Sequence, residues 1–218
     1  MATVTDLSGA LRRRATDVVL AAILVAATAL QVCPGAQALL EFDRAGIAAG
    51  QYWRLATCNV VHFGWAQLLA DAGAMAILWW VCRRRGVPAG WPVAMSLMAV
   101  GPAVWAWGGV DVYRGLSGIN CALVASALAD AALRARGQGG AGWWALLALL
   151  GARSVYELIT GRGIGPTSLP SDVGLAGAAH LVGLAVGAAP AVVRRLARRG
   201  RTVRGTNAVL PAITGNGL

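Results

Sequence analysis

The sequence predicts an all-α membrane protein: a bundle of six transmembrane helices with both termini in the cytoplasm. Three observations carry that class. Hydrophobic residues make up 57% of the 218 and charged residues only 13%, whereas soluble domains carry roughly 25% charged residues. The apolar residues fall into six runs, each close to the length that crosses a hydrocarbon layer of about 30 Å. The positive charges sit between those runs. The net charge of +10 comes from arginine alone, with no lysine in the chain. Short arginine clusters bounding apolar runs fit membrane topology and argue against a nucleic-acid partner.

Residues 1–16 are read as a cytoplasmic N-terminus carrying Arg12-Arg13-Arg14, and an apolar run from Val18 to about Val32 follows. With Ala36-Gln37-Ala38 behind it, this stretch also imitates a secretory signal and its cleavage site. A retained first span is preferred, because further spans follow. Tyr52-Trp53-Arg54 reads as an interfacial anchor, since amphipathic rings sit at headgroup level. The second span runs from about Val60 to Val81 and ends at Arg83-Arg84-Arg85; the third runs from Trp91 to Trp107. The fourth runs from near Leu116 to Arg134 and Arg136, and the fifth from Trp143 to about Ile159. A Gly/Pro/Ser loop through Ser171 leads to the sixth, Asp172 to about Val193.

Residues 17–193 thus form one membrane domain. Residues 194–218 make a basic cytoplasmic tail, disordered along its Gly-, Thr- and Asn-rich end. With the N-terminus inside, 14 of the 19 arginines lie in inner segments, and that excess sets the orientation. Cys33, Cys58, Cys82 and Cys121 are scattered, and the only histidines are His62 and His180. This pattern holds no metal-ligand spacing, so neither a metal nor a cofactor is expected.

The most pointed stretch is Tyr113-Arg114-Gly115-Leu116-Ser117-Gly118, where a polar loop becomes a long apolar run through one serine. Its partner is Gly177-Ala178-Ala179-His180-Leu181-Val182-Gly183. At 100° per residue, Gly177, His180, Gly183 and Gly187 fall within an arc of about 120°, so another backbone can approach the face that presents the imidazole. Counted from the inner arginines, Ser117 stands about 25 Å above Arg134 and His180 about 21 Å above Arg194, at 1.5 Å per residue. The outer count disagrees: His180 lies about 12 Å below Asp172, whereas Ser117 barely follows its loop. Both counts hold if the stretch Gly108–Arg114 dips into the bundle and lines a wet cavity.

The residue types then suggest acyl-transfer chemistry. Serine needs a neighbouring base, which neutral imidazole supplies, and the unpaired N–H groups of a helix start can meet an oxyanion. Each residue also has a bland reading: Ser117 as a helix cap, His180 as an interhelical hydrogen-bonder, His62 as a structural hydrogen-bonder. No carboxylate stands out as a third member of the group. Arg153 and Glu157, one turn apart on the fifth span, read as a structural ion pair that lowers their cost in the membrane. The simplest arrangement is a Ser-His dyad.

On these residues the chain resembles the rhomboid family of intramembrane serine proteases. The matching pieces are Gly115-Leu116-Ser117-Gly118, Ala179-His180-Leu181-Val182-Gly183 with Gly187, Tyr52-Trp53-Arg54 and Val61-His62-Phe63, in order from about residue 50 to 192. Tyr-Arg before Gly-Leu-Ser-Gly, with little outside a six-helix core, looks most like the rhombosortase branch. The resemblance implies a rhomboid-type serine endopeptidase with Ser117 as nucleophile and His180 as general base. Its site would face the periplasmic side of a bacterial inner membrane. Its substrates would be membrane-anchored exported proteins with C-terminal Gly-Gly-type sorting tails.

Two departures concern the supporting residues. Where rhomboids carry a histidine and an asparagine four apart on the second helix, this chain has Gln67 and Asp71. Gln67 keeps an amide donor for an oxyanion; Asp71 donates only if it is protonated and otherwise repels the oxyanion or lines the cavity. Cys121, one turn below Ser117, stands where relatives pack an aromatic or a histidine on the base. Gly115 and Gly118 complete the supporting set. An inactive rhomboid-like binding or quality-control factor is the alternative, and a small transporter lacks the expected paired half-helices.

Overall fold

The computed structural model describes residues 4–107, 109–135, 139–162 and 177–207. They are helical almost throughout: α1 (Val4–Gln31), α2 (Pro34–Leu40), α3 (Arg44–Ala48), α4 (Arg54–Thr57), α5 (Trp65–Arg85), α6 (Gly90–Trp107), α7 (Ser117–Arg134), α8 (Gly139–Thr160) and α9 (Gly177–Asn207). Two short strands, β1 (Phe42–Asp43) and β2 (Val112–Tyr113), pair antiparallel with Phe42 opposite Tyr113.

α7 is the axis of the bundle. Twelve of its 18 residues are buried, and it packs on α5, α6, α8 and α9. That position explains its composition, because a helix enclosed by others meets protein and can hold Asn120, Ser126 and Asp130 on its faces. The outer helices show the opposite pattern, leaving Leu69, Ile77, Trp80, Met98, Leu149, Ile159 and Val193 exposed. Such apolar outer faces belong in lipid.

By length and composition three helices can cross a membrane: Arg14–Gln31, Trp65–Arg85 and Gly177–Ala197. The other three predicted spans are present as the helices α6, α7 and α8. α6 holds Pro92, Pro102 and three tryptophans, α7 its buried polar residues, and α8 the pair Arg153 and Glu157.

The helix bounds differ from the sequence reading at several ends. α1 begins at Val4, well before Val18, and packs Leu20, Ile23 and Ala27 into the core. α5 starts at Trp65 instead of Val60, because Cys58–Val60 form a 3₁₀ turn and Val61 is extended. α9 continues past Val193 to Asn207, so the basic segment is helical that far; arginine is a good helix former. The predicted loop through Ser171, the start at Asp172 and the last part of the tail, 208–218, lie outside the described residues.

Segment 34–64 is held by two arginines that the sequence reading placed at interfaces or in loops. Arg54 is buried: Nη1 donates to the Ala38 and Glu41 carbonyls at 2.8 and 3.0 Å, and Nε donates to Gln51 Oε1 at 2.6 Å. It is therefore a clamp, while its neighbours Tyr52 and Trp53 are exposed as an interfacial anchor requires. Arg44 donates to the carbonyls of Val104, Trp105 and Val110 and lies over the Trp105 ring. It thereby meets carbonyls at the end of α6 that no further helical turn can satisfy.

Candidate active site

Ser117 is the first residue of α7, following Leu116 at the cap position, and the helix start carries no side-chain capping bond. The bland reading of Ser117 as a helix cap therefore does not describe it. What organises this start is a network of long-range polar contacts on residues 113–116.

Arg114 Nε donates to Glu41 Oε2 at 2.7 Å, and Nη2 reaches the same carboxylate at 2.7 Å. Arg114 Nη1 donates to Gln37 Oε1 and to the His62 carbonyl, and the guanidinium lies over the Phe63 ring. Gly115 N–H donates to the Cys58 carbonyl at 3.1 Å, while its own carbonyl accepts from the Tyr113 hydroxyl at 3.0 Å. Leu116 N–H donates to Asp71 Oδ2 at 3.1 Å. Burial pushes the Tyr113 phenol well above its ordinary pKa, against the pull of a hydrogen bond with the Ser117 side chain. The phenol stays neutral, able to donate to Gly115 and to meet the serine. Tyr113, Gly115 and Leu116 are all buried. The loop is thus packed inside protein, as non-helical backbone in a membrane domain must be.

Gly115 is required twice over. Its φ of +129° is one that side-chain-bearing residues rarely adopt, and a Cβ there would stand 2.5 Å from Gln67 Nε2 and 2.9 Å from Asp71 Oδ2. Gln67, Asp71 and Gly115 therefore do come together, but in a role the sequence did not suggest. Gln67 Nε2 donates to the Arg114 carbonyl at 2.9 Å and Oε1 accepts from Phe63 N–H at 2.8 Å. Its amide is engaged on both sides by backbone, so Gln67 holds the loop, with one N–H of Nε2 left over. Asp71 accepts from Leu116 N–H, takes Asn120 Nδ2 on its carbonyl at 3.0 Å and lies 3.4 Å from His62 Nε2. His62 is fully buried, and its ring nitrogens have no hydrogen-bond partner among the described residues.

The second half of the site comes from α9. A Cβ on Gly183 would lie 2.0 Å from the Gly118 carbonyl and 2.9 Å from Cys121 Cβ, and one on Gly118 would lie 3.1 Å from the Ala179 carbonyl. Backbone meets backbone on the glycine face predicted from the sequence. Gly118 and Ala179 are the chain neighbours of Ser117 and His180, so the imidazole is carried beside the first turn of α7. Neither side chain is fully buried. No hydrogen bond joins Ser117 to His180.

Glu157, read from the sequence as one half of a structural pair, has a larger part. The pair exists, with Arg153 Nε donating to Glu157 Oε1 at 2.9 Å. The other oxygen, Oε2, lies 2.6 Å from His180 Nδ1. Glu157 and Ser154 are the only fully buried residues of α8, so a span that is otherwise turned outward directs one carboxylate at the histidine. The available signal was an ionisable residue inside an apolar run, which membrane segments retain only where it is partnered. The missing information was which face of α8 turns inward.

Among the described residues, no group of three or more His, Cys, Asp and Glu side chains is placed to hold a metal ion. Cavities of about 490 and 450 Å³ occur beside Asp17, Arg83 and Trp91 and beside Ser126, Pro190 and Arg194. Neither is lined by Ser117 or His180.

Fold and site together define a multi-pass helical membrane protein built around one polar loop and the helix it starts. The family model described as Rhomboid domain matches residues 49–196, and the chain belongs to the rhomboid family of intramembrane serine proteases. No curated protein matches the chain.

Proposed function

We propose that the protein is a rhombosortase-like serine endopeptidase, a six-span protein of a bacterial inner membrane with both ends in the cytoplasm. It cuts membrane-anchored exported proteins at C-terminal Gly-Gly-type sorting tails, on the periplasmic side. One observation supports this above the others. Within the family match, Ser117 opens α7 and His180 stands on α9 where Gly118 and Ala179 bring the two backbones into contact.

In this reading Ser117 Oγ attacks the scissile carbonyl carbon while its proton passes to His180 Nε2. The oxyanion meets first-turn N–H groups at the start of α7, which have no acceptor within the helix. The C–N bond then breaks, the proton on Nε2 goes to the leaving amine, and the acyl group remains on Oγ. Water, deprotonated by Nε2, attacks the ester; the acid leaves and Oγ regains a proton.

An inactive rhomboid-like binding factor is the second reading. It is favoured by the commitment of Gln67 and Asp71 to loop backbone and by the missing Ser117–His180 hydrogen bond. Co-expression with a Gly-Gly-tailed membrane protein separates the two. The protease releases the tailed protein, and both Ser117→Ala and His180→Ala abolish release. Processing unchanged by either substitution overturns the protease reading.

A further inference from the structure

We infer that Glu157 completes a Ser117–His180–Glu157 relay, as a positioning residue that fixes the tautomer and the orientation of the base. The inference rests on the dyad reading above and extends it by a member that the dyad lacks.

The geometry is specific. Glu157 is 1% exposed, and its two oxygens are divided between two partners: Oε2 lies 2.6 Å from His180 Nδ1, and Oε1 accepts from Arg153 Nε at 2.9 Å. An ionised carboxylate only accepts hydrogen bonds. Nδ1 must therefore carry the imidazole proton, which leaves Nε2 bare and free to take the proton of Ser117. Arg153 places a positive charge beside the carboxylate, which lowers the cost of holding it inside the bundle. Its own side chain is half exposed, so the guanidinium also remains in contact with the surroundings of the bundle.

Backbone spacing supports the same contact. A Cβ on Gly177 would stand 2.4 Å from Leu158 N and 2.7 Å from the Ser154 carbonyl. One turn before His180, α9 therefore touches α8 beside Glu157, which sets the helix separation that a 2.6 Å contact needs. Other titratable groups nearby do not take this place. Cys121 on α7 faces the Gly183 side of α9, and α6 carries no titratable side chain. The group follows the chain order Ser…Glu…His, which also occurs in unrelated serine hydrolases with the same division of roles.

During acylation the proton moves from Oγ to Nε2 and returns to the leaving amine. The Nδ1 proton stays on the ring throughout, and Glu157 remains ionised while the imidazolium forms and disappears.

The test is fluorophosphonate labelling of the purified full-length protein, giving a maximal rate and a half-saturation concentration for each variant. Glu157→Gln is expected to lower the maximal rate by about 10⁴-fold, the loss seen when a triad carboxylate is made neutral, with half-saturation within about twofold. Glu157→Asp recovers part of the loss. Labelling of Glu157→Gln at the wild-type rate, with Ser117→Ala and His180→Ala inactive, overturns the role of Glu157 and leaves the dyad standing. Labelling that survives Ser117→Ala instead removes the protease reading itself.

A measurement on the unsubstituted protein guards against misfolding of the variants. With only two histidines in the chain, ¹⁵N-histidine NMR, assigned through His62→Ala, reads the tautomer of His180 directly. A proton on Nδ1 is expected, and a neutral ring protonated on Nε2 overturns the inference.

Discussion

The two histidines of this chain each lie beside a carboxylate, and the two pairs are built differently. His180 meets Glu157 at 2.6 Å and is itself partly accessible; its carboxylate is shared with an arginine. His62 is fully buried, 3.4 Å from Asp71, and that carboxylate is already occupied by Leu116 N–H. A base has to exchange protons with something outside itself, and of the two rings only His180 is open to such a partner. The second pair lies beneath the loop that carries the serine. Histidine and carboxylate side by side are therefore not enough to propose a catalytic base; on the protease reading, exposure and the carboxylate's other partners single out His180.

The sharpest way to break this contrast is to delete each ring. His180→Ala should lower labelling by an active-site probe by about 10³-fold or more, as loss of a catalytic base does. His62→Ala should lower the thermal midpoint and the folded yield, because it leaves a cavity. Its labelling rate per folded molecule should stay within about tenfold of wild type. Equal losses from the two substitutions would erase the distinction.

A smaller effect is expected from the contact that brings His180 to α7. Gly183→Val places a side chain 2.0 Å from the Gly118 carbonyl, and overpacking of this kind costs about 1–3 kcal/mol. Melting of the detergent-solubilised protein measures it, with activity falling in step. Gly73→Ala on α5, where an added Cβ meets nothing within 4 Å, is the control and should be neutral or slightly stabilising. The smallest effect belongs to the ion pair of Arg83 with Asp17 at the other end of the bundle. Arg83 is 56% exposed there, so Arg83→Gln should change stability by no more than about 1 kcal/mol and leave labelling unchanged.

Much of the fold was legible in the sequence, because apolar runs bounded by arginine locate helices and glycines at helical spacing reveal where two of them meet. Ser117 and His180 were legible for a related reason: a hydroxyl between glycines and an imidazole in an apolar run are both conspicuous. Arg44, Arg54 and Arg114 were visible only as outer charges. Arg44 and Arg114 reach carbonyls and a carboxylate 52 to 73 residues away, and Arg54 reaches carbonyls 13 and 16 residues away. A backbone carbonyl leaves no mark in a sequence. Glu157 was hidden by its neighbour. The i, i+4 spacing to Arg153 accounted for the charge locally, so nothing in the pattern demanded a second partner 23 residues on.

The network around Arg114 also bears on how the chain assembles. Its bonds to Glu41 and Gln37 span 73 and 77 residues, and closing so long a loop precedes any gain from the contact. Helices made during synthesis can therefore form before the turn ahead of Ser117 is set. His180 and Glu157 emerge later still. On the proposed protease reading, no partial chain holds nucleophile and base together, so the enzyme would stay idle in its own membrane until α9 arrives.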